Sequence, residues 1–131
     1  MQLLLDTHTW LWALQKPESL GLRARKLLQN PSSELYLSPV SIWEASLLYR
    51  KGRLKVRSDF SHWLDNAKSA MPHRDLPISA PIMQQAVLLH LPQPGFGDTI
   101  LAATTIVHNL TLLTFDEQLL NFPGLKTLSA S

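Results

Sequence analysis

Short apolar runs alternate along the chain with longer segments whose apolar residues recur at helical spacing. A short apolar run bounded by polar or turn residues is typical of a buried strand, whereas a period of about 3.6 residues indicates an amphipathic helix. Strands that alternate with helices predict an α/β layer fold with a parallel sheet. The predicted strands are LLLD, ELYLS, LPIS, LTLLTFD and LKTL.

Several of the predicted helices begin at residues that can cap them. Ser38 and Pro39 suit the N-cap and first positions of the helix in WEASLLYRK, and Gly52 suits its end. The expected caps of LGLRARKLLQ, DFSHWLDNAKSAM and PIMQQAVLL are Ser19, Ser58 and Ser79. The other predicted helices are THTWLWAL, DTILAATTIVHN and EQLLN, and the segment HLPQPGFG is predicted to be a loop.

The composition suits one folded domain that spans residues 1–131. The chain has 131 residues, of which 45% are hydrophobic and 17% are charged, so a sizeable core can form and disorder is not expected. The absence of cysteine excludes disulfides, thiolate metal sites and a cysteine nucleophile. No apolar run approaches the roughly 18 residues of a membrane span, and the N-terminus has no signal-peptide pattern. We therefore expect a cytoplasmic protein with no membrane partner.

A group of basic residues lies close together with no acid among them, although the formal net charge is only +2. Its members are Arg50, Lys51, Arg53, Lys55 and Arg57 in YRKGRLKVRS, and a smaller group consists of Arg23, Arg25 and Lys26. Such clusters attract phosphate backbones, which suggests a nucleic-acid-binding surface. The alternative is a solvated helix end and loop, since basic side chains are also favourable at a helix C-terminus.

Three aspartates stand where strands end or helices begin. Asp6 ends the first strand, Asp116 ends LTLLTF, and Asp98 opens the helix after PGFG. In open α/β sheets, functional groups gather beyond the carboxyl ends of the strands, near the point where the strand order reverses. Each aspartate also precedes a helix, so each one taken singly is equally well explained as an N-cap that contributes about 1 kcal/mol.

Glu44 is the most informative acid because it lies inside a helix among apolar residues. Val40, Glu44 and Leu47 fall on one helical stripe, with Trp43 beside it. A carboxylate on the inward side of a helix is costly unless a cation pairs with it, and no basic residue lies one turn away on this stripe. Carboxylates crowded into one cleft need a cation to coexist as ions, and oxygen-only ligands suit Mg²⁺ or Mn²⁺ rather than zinc.

The tryptophans and histidines favour structural roles. Large aromatic residues in helical patterns usually supply core or interface area, so core packing or dimer contact is favoured over base stacking. The tryptophans concerned are Trp10, Trp12, Trp43 and Trp63. The five histidines are scattered, which argues against a zinc site, and only His8 lies near a candidate acid.

Four motifs occur in the order and at roughly the spacing found in PIN-domain proteins, and the chain resembles the VapC-type toxins of prokaryotic toxin–antitoxin pairs. These motifs are DTHTWLW, SPVSIWEAS with RKGRL after it, GDTILAATT and LTLLTFDEQL. The resemblance covers essentially the whole chain. It implies a PIN-like three-layer α/β/α fold with a central five-stranded parallel sheet, and Mg²⁺- or Mn²⁺-dependent endoribonuclease activity. It also implies a homodimer that is silenced by an antitoxin protein encoded alongside it.

The resemblance also implies which residues form the site. Those that match the family's four acids and its two hydroxyl residues are Asp6, Glu44, Asp98 and Asp116, together with Thr114 and Thr7. Asp6 and Asp98 are expected to contact the metal directly. Glu44 is expected to contact it directly or through water and to orient the attacking water, and Asp116 to act through an intervening water. The two threonines are expected to hydrogen-bond the carboxylates.

The chain departs from the family's pattern in two places. The stretch QPGFGDT is shorter than the corresponding segment of many relatives and has Thr99 where an arginine is common, and Leu48 stands where a lysine is frequent. The altered loop leaves an alternative of a different class, a catalytically weakened PIN-fold module that binds RNA or protein. In the nuclease, the basic residues from Arg50 to Arg57 would guide RNA phosphates inward. A phosphoacceptor signalling domain is set aside, because Asp6 has no acidic neighbour and LTLLTFD carries no lysine.

Overall fold

The computed structural model of the protein describes residues 1–92 and 95–131. Its strands are β1 (Gln2–Leu5), β2 (Glu34–Leu37), β3 (Arg74–Asp75), β4 (Thr111–Thr114) and β5 (Thr127–Ser129). Its helices are α1 (Thr7–Gln15), α2 (Leu22–Gln29), α3 (Pro39–Arg50), α4 (Phe60–Ala70), α5 (Ala80–Leu88), α6 (Phe96–Val107) and α7 (Glu117–Leu120). None of the helices in these two ranges combines the length and the apolar character that crossing a bilayer requires.

The strands form one parallel sheet in the order β3-β2-β1-β4-β5, which confirms the predicted fold class. The most apolar strand, β1, is central, and its Leu4 pairs with Tyr36 of β2 on one side and with Leu112 of β4 on the other. The chain builds outward from β1 through β2 to β3 and then returns to place β4 on the opposite side. The strand order therefore reverses between β1 and β4, the position at which open α/β sheets form a crevice.

Helices cover both faces of the sheet, as the three-layer prediction requires. Because strand side chains alternate between faces, Leu4 joins one core with α5 and α6, whereas Leu3 and Leu5 join a second core with α1, α2 and α4. Helix α3 contributes to both cores, since Val40 packs in the first and Ala45 in the second. It therefore lies across the carboxyl edge of the sheet rather than on one face.

The helix ends agree with the sequence where capping chemistry decides them. The Ser38 hydroxyl accepts a hydrogen bond from the Val40 amide at 3.2 Å, Pro39 is the first residue of α3, and Gly52 follows the helix with a φ of 72°. The Ser79 hydroxyl likewise accepts from the Ile82 amide at the start of α5.

Two predicted caps are wrong by a few residues. Asp59 rather than Ser58 caps α4, and its carboxylate accepts from the His62 amide at 2.8 Å. Ser19 lies in a 3₁₀ turn, Pro17–Ser19, so that α2 begins later, with Gly21 at its N-cap. The Gly21 amide instead donates to the Ala130 carbonyl at 2.8 Å, because the last strand's continuation passes close to this point.

The third strand lies upstream of its predicted position in LPIS. It consists of Arg74–Asp75 beside β2, and the Leu76 amide adds one more bond to the Leu37 carbonyl at 3.0 Å. Pro77 comes next and has no amide hydrogen to continue the ladder, so pairing stops there. The predicted loop HLPQPGFG ends earlier than expected, since α6 already begins at Phe96; its residues Gln93 and Pro94 lie outside the described residues.

Candidate functional site

The four candidate acids line one pocket at the carboxyl edge of the sheet. The pocket has a volume of about 370 Å³, and its lining residues are Asp6, His8, Glu44, Asp98, Phe115 and Asp116. Strands β1 and β4 carry Asp6 and Asp116 to the two sides of the crevice, while α3 and α6 bring the other two acids across it. Residues more than 100 positions apart therefore meet here because parallel neighbouring strands end at the same edge.

Asp6 is held by Thr114 rather than by helix capping. It occupies the N-cap position of α1, yet within the described part of the chain its side chain makes no capping hydrogen bond, and it is only 7% exposed. The Thr114 hydroxyl donates to the Asp6 carboxylate at 2.5 Å and accepts from the Asp116 amide at 3.0 Å. One hydroxyl group thus ties the end of β4 to the acid that follows β1.

Glu44 is held by a second pair of hydroxyl groups. The Thr7 hydroxyl lies 2.5 Å from the Glu44 carboxylate and 2.9 Å from the Ser41 hydroxyl. Because Thr7 has a single proton to donate and the carboxylate can only accept, Ser41 serves as the donor to Thr7. Both hydroxyl residues are buried, so this chain fixes the orientation of Glu44 from beneath the pocket. The sequence did not identify Ser41, although it lies one helical turn before Glu44.

Gly97 is a second residue that the sequence did not identify as part of the site. It is buried in the first turn of α6, and a Cβ atom built on it would overlap the Glu44 carboxylate. Any side chain at this position must therefore push Glu44 aside. A Cβ at Gly95, by contrast, would make only an ordinary contact of 3.9 Å with the Asp98 carboxylate. The stretch QPGFGDT, which departs from the family's pattern, thus contains a position, Gly97, at which α6 approaches α3 closely.

Asp98 and Asp116 occupy different positions relative to their helices. Asp98 is the third residue of α6 and not its cap, and its negative charge lies near the positive end of the helix dipole. Asp116 does cap α7, since its Oδ1 accepts from the amides of Gln118 at 2.8 Å and Leu119 at 3.3 Å. The capping explanation is therefore correct for Asp116 alone among the three aspartates, and that residue also lines the pocket.

Burial and mutual repulsion make the pocket unfavourable for several negative charges at once. Burial raises the pKa of Asp98, and the charges of Asp116, Asp6 and Glu44 add to this, so that the pKa reaches about 6. Burial also raises the pKa of Asp6 against the opposing effect of the Thr114 hydrogen bond. The pKa of Glu44 is likewise raised by burial and lowered in part by Thr7. A cation in the pocket would relieve this repulsion.

The donor chemistry of the pocket fits a hard divalent cation. Its candidate ligands are carboxylate oxygens braced by hydroxyl groups, which are the ligands that Mg²⁺ and Mn²⁺ take, usually with several waters. Within residues 1–92 and 95–131, no three His, Asp or Glu side chains stand close enough to enclose one ion by themselves. An ion here would therefore be held by few protein ligands and completed by water, which is usual for Mg²⁺.

The predicted basic group lies away from the pocket. Arg50 ends α3, and Arg53, Lys55 and Arg57 are exposed in the segment that follows. This segment packs at the end of α1, where the Gln15 side chain donates to the Lys55 carbonyl at 3.5 Å. Because α1 has nine residues, the basic segment is separated from the acids by about 13 Å of helix.

The tryptophans divide into two classes. Trp10 is fully buried and packs edge-on against Trp63 with ring centroids 5.6 Å apart, as the core prediction requires. Trp12 and Trp43 are 38% and 54% exposed, so they do not pack in the core, and a dimer contact stays a prediction for these two. Trp43 contacts the exposed ring of Phe96 edge-on at 6.5 Å, between α3 and α6. The remaining candidate, His8, is exposed and lines the acidic pocket.

Comparison with known proteins identifies the family and the fold. The family model described as PIN domain matches residues 3–125, and PIN domains are generally nucleases. A comparison with curated proteins gave no match. The chain is similar to a chain of VapBC2 from Rickettsia felis bound to a DNA fragment from their promoter, with 22% identity, complete coverage of both chains and a TM-score of 0.74.

Two further solved structures share this fold. A chain of VapBC-1 from nontypeable Haemophilus influenzae is 15% identical over 98% of each chain, with a TM-score of 0.68. A chain of FitAcB from Neisseria gonorrhoeae is 20% identical over 96% of each chain, with a TM-score of 0.64. At these identities the likeness concerns the fold, while the family model matches nearly the whole length of the sequence. The protein therefore belongs to the PIN-domain family.

Proposed function

We propose that the protein is a divalent-metal-dependent endoribonuclease that hydrolyses RNA phosphodiester bonds, and that it is the toxin of a type II toxin–antitoxin pair. The observation that carries the proposal is the meeting of four carboxylates from distant segments in one pocket, with repulsion that raises the pKa of Asp98 to about 6. Structural ion pairs do not explain such a group, because its members share one sign of charge.

Asp6 and Asp98 would hold a Mg²⁺ or Mn²⁺ ion directly. Glu44 would contact the ion directly or through water, and Asp116 would act through an intervening water, since its Oδ1 already caps α7. Such an ion supplies charge neutralisation at the phosphate, a lower pKa for the attacking water and an in-line orientation for the attack.

The chain's own residues position the reacting groups. Thr7 and Ser41 fix one oxygen of Glu44, so that the carboxylate is held in place to orient the attacking water. Thr114 fixes Asp6. His8 lies at the mouth of the pocket, where its ring is available to the phosphate group of the substrate.

The proposed partners are RNA, a cognate antitoxin protein and a second copy of the chain, all in the cytoplasm. Support for the antitoxin comes from the similar folds in VapBC complexes from other organisms. Support for a homodimer comes from an apolar face of α5, where Met83, Val87 and Leu88 are 42%, 77% and 70% exposed. Light scattering of the purified chain tests the dimer, and co-purification with the product of the adjacent reading frame tests the antitoxin.

The direct test is RNA cleavage by the purified protein with Mg²⁺, with Mn²⁺ and with a chelator. We expect cleavage with either ion and its loss with the chelator. Cleavage that persists in the chelator would contradict the metal-dependent mechanism, and an absence of cleavage on total cellular RNA with either ion would contradict the nuclease.

Replacing Gly97 tests the close contact between α6 and Glu44. Gly97→Ala should lower RNA cleavage about tenfold without unfolding the protein, because a displaced Glu44 no longer orients the attacking water. Gly95→Ala is the matched control, since a methyl group fits there. Cleavage rates and circular dichroism of both variants decide the matter. Equal rates for the two variants would show that the position of Glu44 is unimportant.

Neutralising the exposed basic residues tests their role in RNA binding. A triple variant with Arg53→Gln, Lys55→Gln and Arg57→Gln should reduce the slope of log affinity against log salt by about 2, at about 0.7 for each lost phosphate contact. Arg23→Gln combined with Lys26→Gln is the control, because it removes exposed charge from α2. An unchanged slope in the triple variant would mean that the basic segment does not contact RNA.

A non-catalytic RNA- or protein-binding module is the second candidate. The observation that favours it is the spacing of the acids, since among the described residues no three potential ligands enclose an ion. Isothermal titration calorimetry with Mn²⁺ distinguishes the nuclease from the binding module. Binding that requires Asp6 and Asp98 supports the nuclease, and an absence of binding supports the module.

A further inference from the structure

The exposed side of α1 forms a continuous stripe that begins at the acidic pocket. His8, Trp12 and Gln15 are all exposed, and their spacing of four and three residues places them on one face of the helix. His8 lines the pocket itself. The residues between them include Trp10 and Leu11, which are buried in the core. The stripe is therefore the surface of α1 that the core does not use.

The far end of this stripe meets the basic segment. The Gln15 side chain donates to the Lys55 carbonyl at 3.5 Å, so the two surfaces are in contact. From His8 to Gln15 the helix rises by about 10 Å. At about 3.4 Å for each stacked nucleotide, this distance corresponds to about three nucleotides.

The basic segment presents its charges in one direction. Leu54 is 5% exposed and anchors the segment in the core, and the amides of Arg53 and Leu54 both donate to the Leu48 carbonyl. From Arg53 to Arg57, exposed side chains alternate with the buried Leu54 and the partly buried Val56, so that Arg53, Lys55 and Arg57 face the solvent. A row of three cations beside an exposed helix face complements a phosphate backbone.

Trp12 lies midway along the stripe and is 38% exposed. Successive bases of a single strand stack on such aromatic side chains without a sequence preference. Trp43 is more exposed but packs edge-on against Phe96 on the side of the pocket formed by α3 and α6. The basic segment contacts the far end of α1 through Gln15, so the stripe through Trp12 joins the acids to the positive charge of Arg53, Lys55 and Arg57.

We propose that single-stranded RNA leaves the acidic pocket along the exposed stripe of α1, with one base stacked on Trp12 and the following phosphates on Arg53, Lys55 and Arg57. This path rests on the proposed function, because the proposed function is what makes RNA the substrate. Trp12 is a binding residue about one helical turn from His8, so it contributes to affinity for the strand and not to bond cleavage.

The test measures the affinity of the full-length protein for a fluorescent single-stranded RNA of mixed sequence, 12 nucleotides long, in the presence of chelator. Trp12→Leu should weaken binding about five- to tenfold, because leucine keeps the apolar bulk but lacks the flat ring. Trp12→Tyr should restore most of the affinity. Trp43→Leu is the matched control and should bind as tightly as the natural chain. Thermal melting shows whether each variant is folded.

A second RNA of three nucleotides separates the parts of the path. It spans α1 only from His8 to Gln15, where the basic segment begins, so Trp12→Leu should still weaken its binding, while neutralising Arg53, Lys55 and Arg57 should weaken it less than it weakens binding of the longer RNA. Unchanged affinity of Trp12→Leu for the longer RNA, or an equal loss in Trp43→Leu, overturns the path. So does a Trp12→Leu variant that keeps its RNA affinity and instead loses a bound protein.

The outcomes distinguish the path from the proposed function. If the natural chain cleaves RNA and Trp12→Leu binds RNA normally, the path is wrong and the nuclease stands. If no metal supports cleavage but binding still depends on Trp12, the nuclease is wrong and the path holds for a binding module. If the natural chain binds no RNA, both are wrong.

Discussion

Asp6→Asn should abolish metal-dependent RNA cleavage, by more than about 100-fold, in a protein that remains folded. Loss of a neighbour that only supports a metal ligand typically costs about 10- to 100-fold, so loss of a direct ligand should cost more. Asparagine keeps the size of the side chain and can still accept the hydrogen bond from Thr114. Because burial opposes the charge of Asp6, the neutral variant should melt at the same or a higher temperature without metal.

The combination of lost activity and retained stability is what identifies a functional acid. Asp59→Asn is the matched control, since Asp59 is an exposed aspartate whose role is to cap α4. That variant should keep full cleavage activity. Cleavage rates and melting curves of both variants provide the comparison. A fully active Asp6→Asn variant would refute the nuclease site, and an unfolded one would mean that Asp6 is structural.

Metal affinity should fall about tenfold for each pH unit below about 6. The pKa of Asp98 is raised to about 6 by burial and by the charges of Asp116, Asp6 and Glu44, and a carboxyl must lose its proton to bind a metal. The increase in melting temperature on adding Mn²⁺ should therefore be large at pH 7.5 and much smaller at pH 5. Calorimetric titration at several pH values measures the effect. Affinity that is constant from pH 7.5 to 5 would contradict the assignment of Asp98 as a ligand.

The stability of the metal-free protein should change with pH in a related way. The folded-state pKa of Asp98 lies above its ordinary value of 3.8, so the folded chain binds more protons between these two values and loses stability as the pH rises through them. Asp98→Asn cannot lose a proton. Its melting temperature should therefore rise above that of the natural chain progressively from about pH 4 to 6, with a constant difference above this range. A difference of the opposite sign would show that Asp98 is stabilised as an anion.

The sequence predicted the fold well wherever local chemistry decides the structure. The apolar run before Asp6 indicated a buried strand, and the pair Ser38 and Pro39 predicted the start of α3 to the residue. The prediction from the sequence failed where pairing with a neighbouring strand decides the structure. Strand β3 is two residues long and exists because it lies beside β2, while the more apolar LPIS is interrupted by Pro77.

The sequence predicted which acids belong to the candidate site, but not how those acids are positioned relative to one another. Asp6, Glu44, Asp98 and Asp116 were visible as carboxylates at strand ends or in an apolar helical stripe, and all four line the pocket. The residues that shape the set were not visible, because their importance arises from contacts between distant segments. Gly97 is important because a side chain at its position would collide with the Glu44 carboxylate on α3. Ser41 is important because its hydroxyl forms a hydrogen bond with the Thr7 hydroxyl on α1. Neither contact leaves a local pattern in the sequence.

The hydroxyl of Thr114 joins two strands that already share a hydrogen-bonded ladder, since Leu5 pairs with Leu113 and the Asp6 amide donates to the Leu113 carbonyl. Sliding β4 by one position would turn Thr114 toward the opposite face of the sheet and release Asp6. A shifted register between these two inner strands would therefore disrupt the acidic pocket even in a compact molecule that keeps all its helices. The pairing of β1 with β4 in the interior of this protein therefore sets the spacing of the Asp6 and Asp116 carboxylates in the pocket.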